Sequence, residues 1–278
     1  MAPDANEEVY VPLWRLWPRQ ECLTVSFPDE LALQIKIPLD FIRLGGDNTL
    51  RFVQEVAQML VEGEGVLRDS ANIDEALDLE KEPKEALYRF VPANPGVAFK
   101  EARGPESVHS PGSAPPGYVD LDDQTESEPS RQTDDQSNFR ERLLIRDGFC
   151  PFSFKRGENC DAAHLVPAAR TDVYEKLLGT AAPYEVAFGL LLSPNLHRSD
   201  RYVWSMHYQN GRYFFHCFDY MDDEAAQLHG KSYARADMRV SKEDDESDYP
   251  DTELCRWHYR LCVLMRVRGY AVDMAINL

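Results

Sequence analysis

Residues 101–137 place the strongest constraint on what this 278-residue chain can fold into. The stretch runs through SAPPGYVDLDDQTESEPSRQTDDQS, rich in Pro, Ser, Gly and Asp and nearly empty of apolar side chains. It carries too little apolar surface to offset the entropy of ordering it, so it reads as a disordered acidic linker. It divides the chain into an N-terminal module over 1–100 and a C-terminal module over 138–278, each of ordinary domain size.

Both modules read as α+β. CLTVSFPDELALQIKIP (22–38) has two short apolar, β-branched runs around Pro-Asp-Glu, a hairpin signal. In NTLRFVQEVAQMLVEG, the residues Leu50, Val53, Ala57 and Leu60 or Val61 recur at helical spacing, with Asp47 or Asn48 as cap and Gly63 as stop. In the second module, NFRERLLIRDGFC predicts a short helix with Phe139, Leu143 and Arg146 on one face, ending at Gly148. CDAAHLV (160–166) reads as a strand, TDVYEKLLG (171–179) as a helix capped by Thr171 and closed by Gly179, and AFGLLL (187–192) as a second strand. Ser193-Pro194 opens a helix carrying Asn195, Leu196 and His197. YVWSMHY and RYFFHCF form a hairpin around Asn210-Gly211, and residues 251–269 a helix with a buried stripe of Leu254, Trp257, Leu261, Leu264 and Met265.

Charge bears on function. The chain has 30 Lys+Arg against 48 Asp+Glu, net -18, which as a whole repels nucleic acid. The charge is unevenly spread: residues 1–137 carry net -15 and residues 221–278 net -4, but residues 138–220 carry 10 basic and 9 acidic side chains. The centre is near neutral and can approach a polyanion. The first twenty residues hold no apolar signal region, and no apolar run approaches the roughly 20 residues of a membrane span, so a soluble intracellular protein is expected. The six cysteines form no disulfide framework, and no Cys-x-x-Cys supports a zinc knuckle, so Cys150 and Cys160 read as packing residues.

The order strand, excursion, strand, then helix with His in its first turn puts His164 and His197 where they can converge on one ion. The blocks RERLLIRDGFC, CDAAHLVP, GLLLSPNLHR and DRYVWS, with the following hairpin, LHGK (228–231) and LCRWHYRLCVLMRVRG (254–269), resemble the HNH endonuclease domains common in fungal proteins. The resemblance spans about residues 138–269. It implies a ββα element holding one divalent metal ion, Mg²⁺ or a first-row transition metal, and hydrolysis of DNA phosphodiesters. His164 would be the general base on water and His197 a metal ligand. Asp161 is the nearest carboxylate for a second ligand, although three residues along a straight strand set it on the opposite face from His164. Arg170, Arg198 and Arg201, with Lys155 and Arg156, are the candidate phosphate contacts; their alternative is pairing with Asp172 and Asp200.

Three positions depart from the family pattern. Phe188 stands where an Asn usually holds the loop bearing the base, Ala163 precedes the base, and His197-Arg198-Ser199-Asp200 lacks the Phe of His-x-x-Phe-Asp. These departures support a second reading, a catalytically degenerate scaffold retained for protein or nucleic-acid interaction. A third, an acidic protein that binds basic partners, follows only from the -15 of the first half.

Overall fold

The structure, a computed structural model, describes residues 13–17, 21–102, 134–199, 202–238 and 248–268. The acidic linker lies outside the described residues except at its ends, as does most of the run KEDDESDYPD. The fold is α+β.

The first part opens with a helical turn α1 (Leu13–Leu16), then β1 (Cys22–Ser26) and β2 (Gln34–Pro38) as an antiparallel hairpin around a single turn of 3₁₀ helix. Helices α2 (Leu39–Gly45) and α3 (Leu50–Met59) follow, then β3 (Val61–Glu62), β4 (Gly65–Asp69), β5 (Leu87–Pro92) and β6 (Lys100–Glu101). One sheet has the order β2-β1-β5-β4, with β1 and β5 parallel, and β3 pairs with β6. Helix α3 buries Leu50, Phe52, Val53, Val56 and Ala57 on this sheet, each larger side chain contributing roughly 1.5–3 kcal/mol of apolar burial. Its cap is Thr49 and not Asp47 or Asn48: Thr49 Oγ1 accepts from Phe52 N at 3.3 Å. Asp47 instead accepts from Thr49 and from Gln209 Nε2. Gly63 takes up the turn after β3 at φ 101°, past a helix that already ends at Met59.

The second part begins with α4 (Asp134–Asp147), which starts inside the segment read as linker and buries Phe139, Leu143 and Arg146 on one face. Then come β7 (Asp161–His164), α5 (Thr171–Leu178), β8 (Gly189–Leu192) and α6 (Pro194–Arg198). β9 (Trp204–Gln209) and β10 (Arg212–Cys217) turn at Asn210 and Gly211, both at positive φ, as the Asn-Gly pair requires. After them lie α7 (Asp223–Leu228), β11 (Ser232–Ala234) and α8 (Thr252–Cys262), whose last turn continues as a π-helix, Val263–Val267. Thr171 does not cap α5: it lies inside the helix and Arg170 holds the cap position without a side-chain bond, while Gly179 closes it in the left-handed region.

The apolar core of the first part is completed by the second. Phe218, Tyr259, Cys262, Val263, Leu264 and Val267 belong to the same buried cluster as the β1–β5 sheet and α3. A separate cluster packs α4, β7, β8 and the β9–β10 hairpin, and a third joins α5 and Phe188 to Leu254, Trp257 and Leu261 of α8.

Candidate active site

Strands β7 and β8 pair antiparallel, with Asp161 opposite Leu192 and His164 opposite Gly189, and α6 leaves directly from the end of β8. A buried ion pair fixes this ββα unit from behind. Arg146 Nε and Nη2 donate to Asp147 at 2.6 and 2.9 Å, Nη2 also to Gly189 O at 2.7 Å, and Nη1 to Val186 O and Asp248 O. All five guanidinium N–H groups are thereby used. Asp147 Oδ2 accepts Leu191 N at 3.0 Å, so the pair holds one edge of β8 through both a carbonyl and an N–H.

His164 ends β7 as a mostly buried ring between two aromatics. It stacks on Phe139 at 4.4 Å with 13° between planes, and meets Tyr184 edge-on at 5.5 Å. The stack needs Gly189: a Cβ there would lie 2.4 Å from Phe139 Cζ and 2.5 Å from the Ala163 carbonyl. Burial pushes the His164 pKa down to about 4, the charge of nearby His197 adds to this, and a hydrogen bond to the Pro183 carbonyl opposes it. The ring is therefore neutral at pH 7. Its Nε2 is enclosed and has no hydrogen-bond partner.

His197, in the last turn of α6, turns toward Asp161, with Nδ1 at 3.3 Å from Asp161 Oδ2. Their side chains are 29% and 42% exposed, so this side of the site is open to a ligand from solvent. Asp161, His164 and His197 are thus brought into one neighbourhood; the i to i+3 offset along β7 does not hold Asp161 away from His197. Among the described residues no group of three or more His, Cys, Asp or Glu is arranged to hold a metal ion. The arrangement is a pair of donors with a histidine beside it.

That pair fits a divalent cation. Ligand bonds near 2.1 Å put neighbouring donors about 3.0 Å apart in an octahedral shell and about 3.4 Å apart in a tetrahedral one, and the 3.3 Å separation falls between. One carboxylate and one imidazole suit Mg²⁺ with retained waters or a first-row metal.

The arginines are distributed differently. Arg170 forms a bidentate pair with Asp172 at 2.9 and 2.8 Å and lies over the Trp257 ring. Arg198 is exposed at the end of α6, beside His197, and Arg201 lies outside the described residues, as does Asp200. Lys155 and Arg156 pair with Glu224 and Glu158. Phe188 packs its ring on Tyr174 while its carbonyl accepts Leu165 N at 2.8 Å, and Tyr174 Oη donates to Val166 O. The loop after His164 is held by these two bonds to its backbone. Cys150 and Cys160 are buried thiols; Cys160 Sγ donates to the Lys155 and Arg156 carbonyls. A surface hollow of about 400 Å³, lined by Gly148, Phe149, Phe154 and Arg156 among others, touches none of Asp161, His164 and His197.

Phe139, Tyr184, Gly189 and the Pro183 carbonyl do not stand out as site residues in the sequence. The helical spacing turns Phe139 inward, but says nothing of what it meets. No family model, curated protein or solved structure matches the chain, and no described helix is long and apolar enough to cross a membrane.

Proposed function

We propose that the protein is a metal-dependent HNH-type endonuclease that hydrolyses phosphodiester bonds in DNA. The observation that carries this reading is the meeting of Asp161, His164 and His197 at one ββα unit, the open pair on the surface and the neutral histidine behind it. Asp161 and His197 would hold a divalent cation, which supplies positive charge to the phosphate and to the departing 3′ oxygen. Phe139, Tyr184 and the Pro183 carbonyl fix the His164 ring. Neutral His164 accepts the proton of the attacking water; the new P–O bond forms as the P–O3′ bond breaks, its electron pair leaving on the 3′ oxygen, which solvent protonates. The near-neutral residues 138–220 offer few phosphate contacts, so binding is weak and sensitive to salt.

One observation favours the second reading, a degenerate scaffold serving as an interaction module: His164 Nε2 is enclosed by protein. Supercoiled plasmid at low salt with Mg²⁺, Mn²⁺ or Ni²⁺ separates the two. The nuclease reading expects nicking by the wild type and at least a hundredfold less by His164→Ala, the lower range for loss of a general base. Equal nicking by both proteins, or none by either, leaves the scaffold.

A further inference from the structure

We propose that Glu224, at the start of α7, is the positioning residue of this site: it ties the loop leading into β7 to the helix bearing His197, and so sets how Asp161 and His197 face each other. The proposal rests on the nuclease reading only for the use made of that geometry.

Helix α6 has five residues, too few to hold an orientation by itself. Ser193 sits at its N-cap position but makes no capping bond. Its Oγ donates instead to Glu224 Oε1 at 3.0 Å, while Asn195 Nδ2 donates to Oε2 at 2.6 Å. The third donor comes from a different segment: Lys155 Nζ reaches Oε1 at 3.2 Å, and Lys155 belongs to the loop that runs through Cys160 into Asp161. One carboxylate therefore joins the two chain segments that carry the donor pair. Burial by itself would raise the Glu224 pKa; the bonds from Asn195, Lys155 and Ser193 outweigh it and hold the group below the usual carboxylate range.

A second tie comes from the same turn. Asp222 caps α7 by accepting Ala225 N, and its Oδ2 lies 3.2 Å from Ser199 Oγ, whose hydroxyl is shared with Asn195 O at 2.8 Å. At about 100° per residue, Asn195 and the C-cap residue Ser199, whose N–H still bonds Asn195 O, lie on one side of α6, and residue 197, two positions from each, points about 160° away. Fixing positions 195 and 199 against α7 thus turns His197 outward to Asp161. Trp204 Nε1, donating to Leu196 O at 3.0 Å, fixes the remaining degree of rotation.

The test uses full-length Glu224→Ala and Glu224→Gln. Two signals are read beside the melting temperature: binding of Co²⁺ alone, by calorimetry and visible absorption, and the side-chain ¹H–¹⁵N resonances of His197 in metal-free protein, assigned with His197→Gln. Expected is a loss of Co²⁺ affinity of about tenfold or more in Glu224→Ala, with shifted His197 resonances in a folded protein, and an intermediate result for Glu224→Gln, which keeps one acceptor oxygen. If wild type binds no Co²⁺ yet the His197 resonances shift, the positioning role stands and the metal reading fails. A folded Glu224→Ala protein with wild-type Co²⁺ affinity and unmoved His197 resonances overturns the proposal. Should Glu224→Ala not fold, Asn195→Ala and Lys155→Met each remove one tie and are judged by the same two signals.

Discussion

Lowering the pH from 7 to 5 should destabilise this fold through three histidines at the seam between its two parts. His216 Nε2 donates to Gly45 O at 2.8 Å and its Nδ1 accepts from Tyr259 Oη at 2.7 Å. His229 Nε2 donates to Phe41 O at 2.9 Å and its Nδ1 accepts Cys217 N–H at 3.0 Å. Each ring is committed as one donor and one acceptor, so each is neutral, and protonating His229 would set an N–H against an N–H. His207 stacks on His216, its Nε2 buried and 4.0 Å from Glu55 Oε2. Burial pushes His207 and His229 down to about 4 and His216 well below its ordinary value. Against an unfolded value near 6.5, the unfolded chain binds more protons, so stability present above pH 6.5 is lost as pH falls toward 4. At pH 5 the loss is about 2 kcal/mol for each of His207 and His229; His216 adds to it in the same direction, and His164, also held near 4, contributes likewise from the second part, a sum comparable with the whole stability of many domains. Asp47 partly offsets the shift at His207, Arg256 reinforces it, and Glu55, whose pKa is raised by burial and by Asp47, acts with the opposite sign. Urea unfolding at pH 7, 6 and 5 measures the loss, and His207→Leu should reduce it by about 2 kcal/mol. An unfolding free energy at pH 5 within about 1 kcal/mol of the pH 7 value would refute the reasoning.

Other substitutions test particular contacts. Arg146→Met leaves Asp147 buried without its partner and strips the Val186, Gly189 and Asp248 carbonyls; denaturant unfolding should show a loss of about 3–5 kcal/mol. Gly230→Ala would place a Cβ 1.7 Å from the Leu44 carbonyl, so it should cost well above the roughly 1–2 kcal/mol expected of Gly211→Ala, which has the same left-handed strain and open space around it. Similar melting temperatures for those two variants would contradict the close approach. Phe188→Asn, which introduces the residue usual at this position in the HNH domains the sequence resembles, removes a ring buried on Tyr174 and should cost about 3–5 kcal/mol without raising nuclease activity. Faster nicking by a protein of unchanged stability would count against the backbone tether.

The elements written in local code are legible in the sequence. The Asn210-Gly211 hairpin, the buried face of α4 and the Ser193-Pro194 helix start depend on residues within a few positions of each other. Strand β5 and the short α7 are not, because Leu87–Pro92 pairs in parallel with β1 about sixty residues away and DEAAQL has no periodicity to read. The histidine pair is legible from spacing, but its setting is not. The Pro183 carbonyl carries no side-chain signal, and Glu224 meets Asn195 only through the fold, 29 residues apart in sequence. Asp161 shows a further limit: strand periodicity sets it on the face opposite His164 and says nothing of His197, from which it lies 3.3 Å.

If a cation is held by Asp161 and His197 beside a neutral histidine, crystals soaked in Mn²⁺ and measured at the manganese edge will show it most directly. One anomalous peak is expected within about 2.3 Å of both Asp161 Oδ2 and His197 Nδ1, absent in Asp161→Ala. A peak elsewhere, or none at millimolar Mn²⁺, would contradict the proposed site.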